Sequence, residues 1–181
     1  QAEDILKECT FLMIPQLNPD GSEAYTRLNA NAIDLNRDFI DLSQPESRLL
    51  RKIYDDFKPN YCFNLHGQRT IFSAGKTPIP ATVSFLAPSA DLERSLTPAR
   101  QLAMKLIVAA NKKLQSYLPN AVGRYDDVFN INCAGDYFTA KGTPTVLFEA
   151  GHHTQDYKRK TSRKAVFDAL IVMCEVISLG K

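Results

Sequence analysis

Two short apolar runs do most to limit what this chain can fold into. Residues 61–65 (YCFNL) and 143–148 (TPTVLF) are too short for buried helices and rich in β-branched and aromatic residues, so both read as buried strands. Each runs directly into a residue that carries chemistry: His66-Gly67 after the first, Glu149-Ala150-Gly151-His152-His153 after the second. Open α/β sheets place their ligands beyond the carboxyl ends of their strands. A carboxylate at the end of an apolar strand is costly unless it has a partner or a task. A pKa raised by that setting suits a general base; the alternative is a structural ion pair with Arg27 or Arg37. A lone His is usually a satisfied core residue, but the small and polar neighbours of His66 favour a ligand.

Residues 18–39 (NPDGSEAYTRLNANAIDLNRDF) hold two Arg, four Asn and three Asp and show no helical or strand period. A polar, irregular loop of that length inside a domain is usually functional. Its Asn18-Pro19-Asp20-Gly21 start predicts a turn, with φ fixed at Pro19 and positive at Gly21. The loop delivers Arg27, Asn36 and Arg37, two guanidiniums and an amide able to hold a carboxylate and an oxyanion. Solvated surface arginines are the plainer alternative.

The remaining segments alternate. Residues 1–9 read as the tail of a helix, and 10–16 (TFLMIPQ) as a buried strand feeding the loop. A helix from Pro45 carries Leu49, Leu50, Ile53, Tyr54 and Phe57 on a stripe expected to face the sheet, and Pro59 ends it. Residues 81–87 (ATVSFLA) read as a strand near a sheet edge. Next comes a helix to Tyr117 with Leu102, Leu106, Ala109 and Leu114 inward. Residues 120–135 form a loop, 136–141 a short helix stopped by Gly142, and 159–179 a last amphipathic helix. The expected architecture is a three-layer α/β/α domain spanning residues 1–181, with a mixed, mostly parallel sheet.

With 22 basic and 20 acidic residues the chain has no charge excess that would suit nucleic acid, and no apolar run has the length of a membrane span. Cys9, Cys62, Cys133 and Cys174 form no CxxC pair or Cys-His cluster, which predicts free thiols, buried except for Cys133.

The NPDG turn, Arg27, the DLNRDF block (34–39), the NLHG block (64–67) and the TVLFEAG block (145–151) together resemble the catalytic domain of zinc carboxypeptidases of the carboxypeptidase A and B type, with a bacterial cast. That resemblance implies a zinc-dependent hydrolase that removes the carboxyl-terminal residue of a peptide. It makes His66 a zinc ligand and Glu149 the general base that takes a proton from metal-bound water. Arg27 becomes the oxyanion stabiliser, and Asn36 and Arg37 hold the substrate's terminal carboxylate. Tyr125 is the candidate for the tyrosine that closes over the substrate, although Phe129 sits nearer the expected place. Asp126, Asp127 and Asp136 are candidates for a specificity residue.

The family's first two zinc ligands come from a His-x-x-Glu motif upstream of the NPDG turn, and none of His66, His152 and His153 has Glu three positions later. His152 and His153 cannot both face one metal, because neighbours on an extended chain point opposite ways. The expectation is a carboxyl-terminal portion of a longer catalytic domain, its partners being a peptide substrate and either the missing N-terminal segment or a second copy of itself. The alternatives are a zinc amidohydrolase of the deacylase branch and a metal-free peptide-binding pseudoenzyme.

Overall fold

The computed structural model describes residues 2–180. Along the chain run α1 (Ala2–Glu8), α2 (Pro19–Glu23), a 3-10 turn (Leu35–Arg37), α3 (Pro45–Phe57), β1 (Cys62–Gly67), β2 (Val83–Leu86), α4 (Pro98–Gln115), β3 (Val122–Arg124), α5 (Ala134–Ala140), β4 (Thr145–Ala150) and α6 (Lys160–Ser178).

Local chemistry sets the boundaries. Proline occupies the first turn of α2, α3 and α4, where its missing N–H costs nothing. Thr97 caps α4 by accepting from the Arg100 amide, and the Asp156 carboxylate accepts from the Lys160 and Thr161 amides at the start of α6. Lys58 takes the left-handed conformation (φ 50°) that ends α3 just before Pro59, and Gly142 does the same (φ 89°) after α5.

The sheet order is β1-β4-β2-β3. The β1–β4 and β2–β3 pairs are parallel and β4–β2 is antiparallel, so the sheet is mixed and mostly parallel, as expected. Side-chain alternation splits it into two faces. Val83, Phe85, Val146 and Phe148 point to one side, where they are covered by Ala103, Leu106, Ala110 and Leu114 of α4 and by Ala165, Ala169 and Met173 of α6. Phe85 and Phe148 meet edge to face at 5.1 Å. On the other side α5 packs on β1 and β4. There Phe39, Tyr137 and Phe138 form a second cluster with Leu50 and Tyr54 of α3. Helices thus cover both faces of the sheet, giving the three-layer α/β/α arrangement.

Several expectations are corrected. Residues 10–14 are not a strand, and Phe11, Leu12, Met13 and Ile14 are exposed: an apolar run reports strand tendency, but pairing needs a partner. The α3 stripe packs on α5 and Phe39 rather than the sheet, with Leu49 and Phe57 left exposed. Residues 83–86 lie inside the sheet, not near its edge, and the expected loop at 120–135 contains β3, three residues long. Gly21 has no positive φ. It is needed because a Cβ there would come within 2.3 Å of Asn18 Nδ2 and 2.6 Å of the Leu28 carbonyl. All four cysteines are free; Cys174 alone is fully buried, and Cys133 is half-buried like Cys9 and Cys62.

Candidate active site

β1 and β4 run parallel, and the registration that pairs Cys62 with Thr145 also pairs His66 with Glu149. The two side chains therefore stand next to each other on one face of the sheet, the face opposite Phe148, near the ends of both strands. Ser84 of β2 lies on the far side of Glu149. Glu149 is half-buried, and desolvation raises its pKa against the opposing pull of the Arg27 charge. His66 shows the converse effect. Burial lowers its pKa, the Arg27 and Arg37 charges add to this, and Asp34 opposes them, so the surroundings favour the neutral imidazole. Its Nε2 is buried and has no hydrogen-bond partner among the described residues, an arrangement that calls for a ligand to satisfy it.

The polar loop brings its residues to the same place. Asp34 does two jobs there: Oδ2 pairs with Arg27 Nε at 2.7 Å, and Oδ1 accepts the Asn36 amide at 3.0 Å. Asn18 caps α2 through the Gly21 amide and donates to the Arg27 carbonyl, tying the NPDG turn to the arginine. Asn36 Oδ1 accepts the Ala134 amide at the start of α5, and the residue lines the larger cleft. Arg37 Nη1 donates to the Asn36 carbonyl and to Cys133 Sγ, and among the described residues its charge has no carboxylate within ion-pair distance.

Two clefts result, and Arg27 lines both. The larger, about 290 Å³, is bounded by Asn18, Arg27, Asn36, Asn64 and His66, with Leu17, Leu35, Leu50, Leu65 and Ala134 as its apolar wall. The smaller, about 150 Å³, contains Arg27, Gln68, Arg69, Thr70, Phe72, Tyr125 and Glu149. The structure thus brings His66, Arg27 and Asn36 together in one cleft, and Arg27, Tyr125 and Glu149 in the other. Arg37 lines neither; it sits beside them on the Cys133 side. Burial and the Glu149 charge raise the Tyr125 phenol pKa, so it is a protonated donor.

Of the specificity candidates, Asp127 is bound to Arg100 and Arg94, and Asp126 lies 3.8 Å from Arg94. Asp136 is buried and accepts the Asn130 amide, and burial raises its pKa. None of the three lines either cleft. His152 and His153 are occupied elsewhere, near the Arg69 carbonyl and the Thr82 hydroxyl. Gln68 went unnoticed in the sequence. It is 3% exposed, its Nε2 is fixed on the Thr70 carbonyl, and its Oε1 has no partner. No motif marks it beyond its place two residues after His66.

Comparison with known proteins follows the same lines. No protein-family profile matches the chain. Carboxypeptidase 2 of Trichophyton rubrum is 25% identical over 184 aligned positions, covering 99% of this chain and 31% of that protein. A metallo-carboxypeptidase from Pseudomonas aeruginosa, solved with (2-guanidinoethylmercapto)succinic acid, superposes with a TM-score of 0.64 at 17% identity, over 91% of this chain and 45% of that one. The chain has the zinc-carboxypeptidase-like fold. A Shewanella denitrificans crystal structure named for carboxypeptidase A gives a TM-score of 0.68 at 18% identity, again over 91% and 45%. The chain therefore spans about a third of the length of the curated relatives and under half of the solved ones.

The metal that this carboxypeptidase-like fold implies can be tested against the donors present. His66 Nε2 is a suitable single ligand: neutral, buried and unpartnered. Among the described residues, however, no group of three or more His, Cys, Asp or Glu is placed to hold a metal ion. A catalytic zinc centre needs three protein ligands and an open position, so these residues do not make one by themselves.

Proposed function

We propose that the chain carries the general base and substrate cradle of a carboxypeptidase-type hydrolase acting on the carboxyl-terminal peptide bond. The registration of His66 against Glu149, with Arg27 shared by the two adjoining clefts, is the observation that carries this reading. The names of the relatives support the hydrolase class.

In this reading the peptide's terminal carboxylate is held by Asn36 Nδ2 and the Arg37 guanidinium. Arg27 Nε is committed to Asp34, which leaves the terminal nitrogens of the guanidinium to donate to the scissile carbonyl oxygen as negative charge grows on it. Glu149, less acidic than an exposed glutamate, takes a proton from the attacking water and passes it to the leaving amine. The chain on the amino side of the bond lies along the smaller cleft, where Gln68 Oε1 accepts one of its N–H groups. The Tyr125 hydroxyl donates across the bound peptide.

His66 would supply one ligand to the zinc that the resemblance implies, with the other ligands lying outside these 181 residues. The deacylase alternative shares this carboxylate cradle, because an N-acyl amino acid also has a free terminal carboxylate, and it differs in the amide bond that is cleaved. The metal-free binding module draws support from the incomplete donor set.

One experiment separates these readings. The full-length protein is assayed on a blocked dipeptide with a free carboxyl terminus, on its C-terminal amide and on an N-acyl amino acid, with and without a chelator. The expected outcome is hydrolysis of the first alone, abolished by chelation. Glu149→Gln should cost about a hundredfold or more in kcat with peptide binding retained, and full activity in that variant would falsify the mechanism.

A further inference from the structure

The ladder between β1 and β4 ends at Gly67 and Ala150, immediately beyond His66 and Glu149, and its last rung is the Gln68 amide donating to the Ala150 carbonyl at 2.9 Å. Past that rung the two segments, which follow directly on His66 and Glu149, have no further backbone bonds to each other. The Arg159 side chain fills the gap. Its Nη1 donates to the Ala150 carbonyl at 2.7 Å and to the Gly151 carbonyl at 3.0 Å, and its Nη2 donates to the Gln68 carbonyl at 3.1 Å. One guanidinium thus has one prong on the segment after Glu149 and the other on the segment after His66.

The fork is itself held firmly. Arg159 has no carboxylate partner among the described residues; three carbonyl oxygens accept from it, and its Nη2 also lies 3.3 Å from His152 Nε2. Its backbone sits at φ 54°, ψ 28°, a left-handed conformation that non-glycine residues rarely adopt. Residues persist in such conformations where their surroundings over-determine them. Here the Arg159 amide bonds to the Asp156 carbonyl, and the Asp156 carboxylate fixes the first amides of α6. Ser162, one turn on, donates to the Thr82 and Gly151 carbonyls. The first turn of α6 is therefore bolted to the sheet, and Arg159 projects from that mount.

We infer that Arg159 is a positioning residue: its planar fork fixes the lateral spacing of the strand ends that bear His66 and Glu149. This rests on the reading of Glu149 as the base. A planar guanidinium spans two chains with separate donors, whereas an ammonium acts from one point, so lysine cannot reproduce the clamp.

The test uses the full-length protein with Arg159→Ala and Arg159→Lys, two readouts being taken on each. In site-resolved amide exchange, the Gln68 amide should lose protection in both variants. The Tyr125 amide, bonded to the Phe85 carbonyl on the far side of the sheet, should keep its protection. On the blocked dipeptide, kcat should fall by about tenfold or more, as small misplacements of reacting groups do, with KM changed by less than about threefold. Unchanged protection at Gln68 overturns the inference, as does a uniform loss of protection that includes Tyr125. A selective loss at Gln68 with kcat intact also overturns it, while leaving the reading of Glu149 standing. If the wild-type protein cleaves no peptide, the reading of Glu149 fails, and the positioning role fails with it.

Discussion

At the scale of single residues, much of the site's order comes from carboxylates that never touch a substrate. Asp34 aims Arg27 and folds the turn that presents Asn36. Asp38 does the same for the far end of the polar loop: it is 3% exposed, and it accepts from the Ser43 and Gln44 amides and the Ser43 hydroxyl. Burial alone would raise its pKa, but these bonds, with Ser47, outweigh that and hold it below the usual value. A carboxylate whose pKa is depressed on folding contributes stability that is complete above its unfolded value, about 3.9, and is lost as pH falls through the folded value. Asp38→Asn should therefore destabilise the fold by about 1–3 kcal/mol near neutral pH. In urea unfolding run between pH 7 and pH 2, the difference between wild type and variant should shrink toward the acid end. A constant difference across that range would show that the charge is irrelevant.

At the scale of elements, the close approach at the end of β4 carries the sharpest expectation. A Cβ on Gly151 would sit 2.0 Å from the Ala81 carbonyl oxygen, a backbone atom that cannot swing aside. Gly151→Ala should thus cost about 1–3 kcal/mol or more, seen as a lower thermal midpoint. Glycine at Gly142 exists for its φ instead and has open space around it. The elements also show how far the sequence could be read. β1 and β4 were legible because a short apolar run ending in a polar residue has few other fates, and Arg27, Asn36 and Glu149 line the two adjoining clefts. Residues 10–14 misled because the same kind of run looks alike whether or not a neighbouring strand is there to pair with. β3 was hidden because three residues are too few to show a period. Gln68 and Arg159 were invisible for a different reason. Their importance lies in carbonyl oxygens, or in a missing partner, contributed by segments distant in sequence, and no spacing rule records that.

At the scale of the whole molecule, the sheet has β1 at one border, with Leu65 55% exposed on it. The apolar residues 11–14 are exposed as well, Met13 by 76%. A strand edge at the border of a sheet and exposed apolar side chains are each templates for association. These 181 residues on their own should self-associate as concentration rises, measured by light scattering, and Leu65→Lys with Met13→Lys should shift them toward monomer. A wild-type sample that stays monomeric up to about 100 μM, the range in which such edges cause association, would contradict this.

The pairing of His66 with Glu149 has one more consequence. Because side chains alternate along a strand, a slip of one residue between β1 and β4 would send Glu149 to the face now filled by Phe148 and put Phe148 or Ala150 opposite His66. Under the proposed mechanism a misregistered molecule would then have no base in the cleft at all, rather than a weaker one. Turnover per milligram would therefore be a head count of correctly zipped molecules, and a refolding preparation could be graded by its catalytic yield alone.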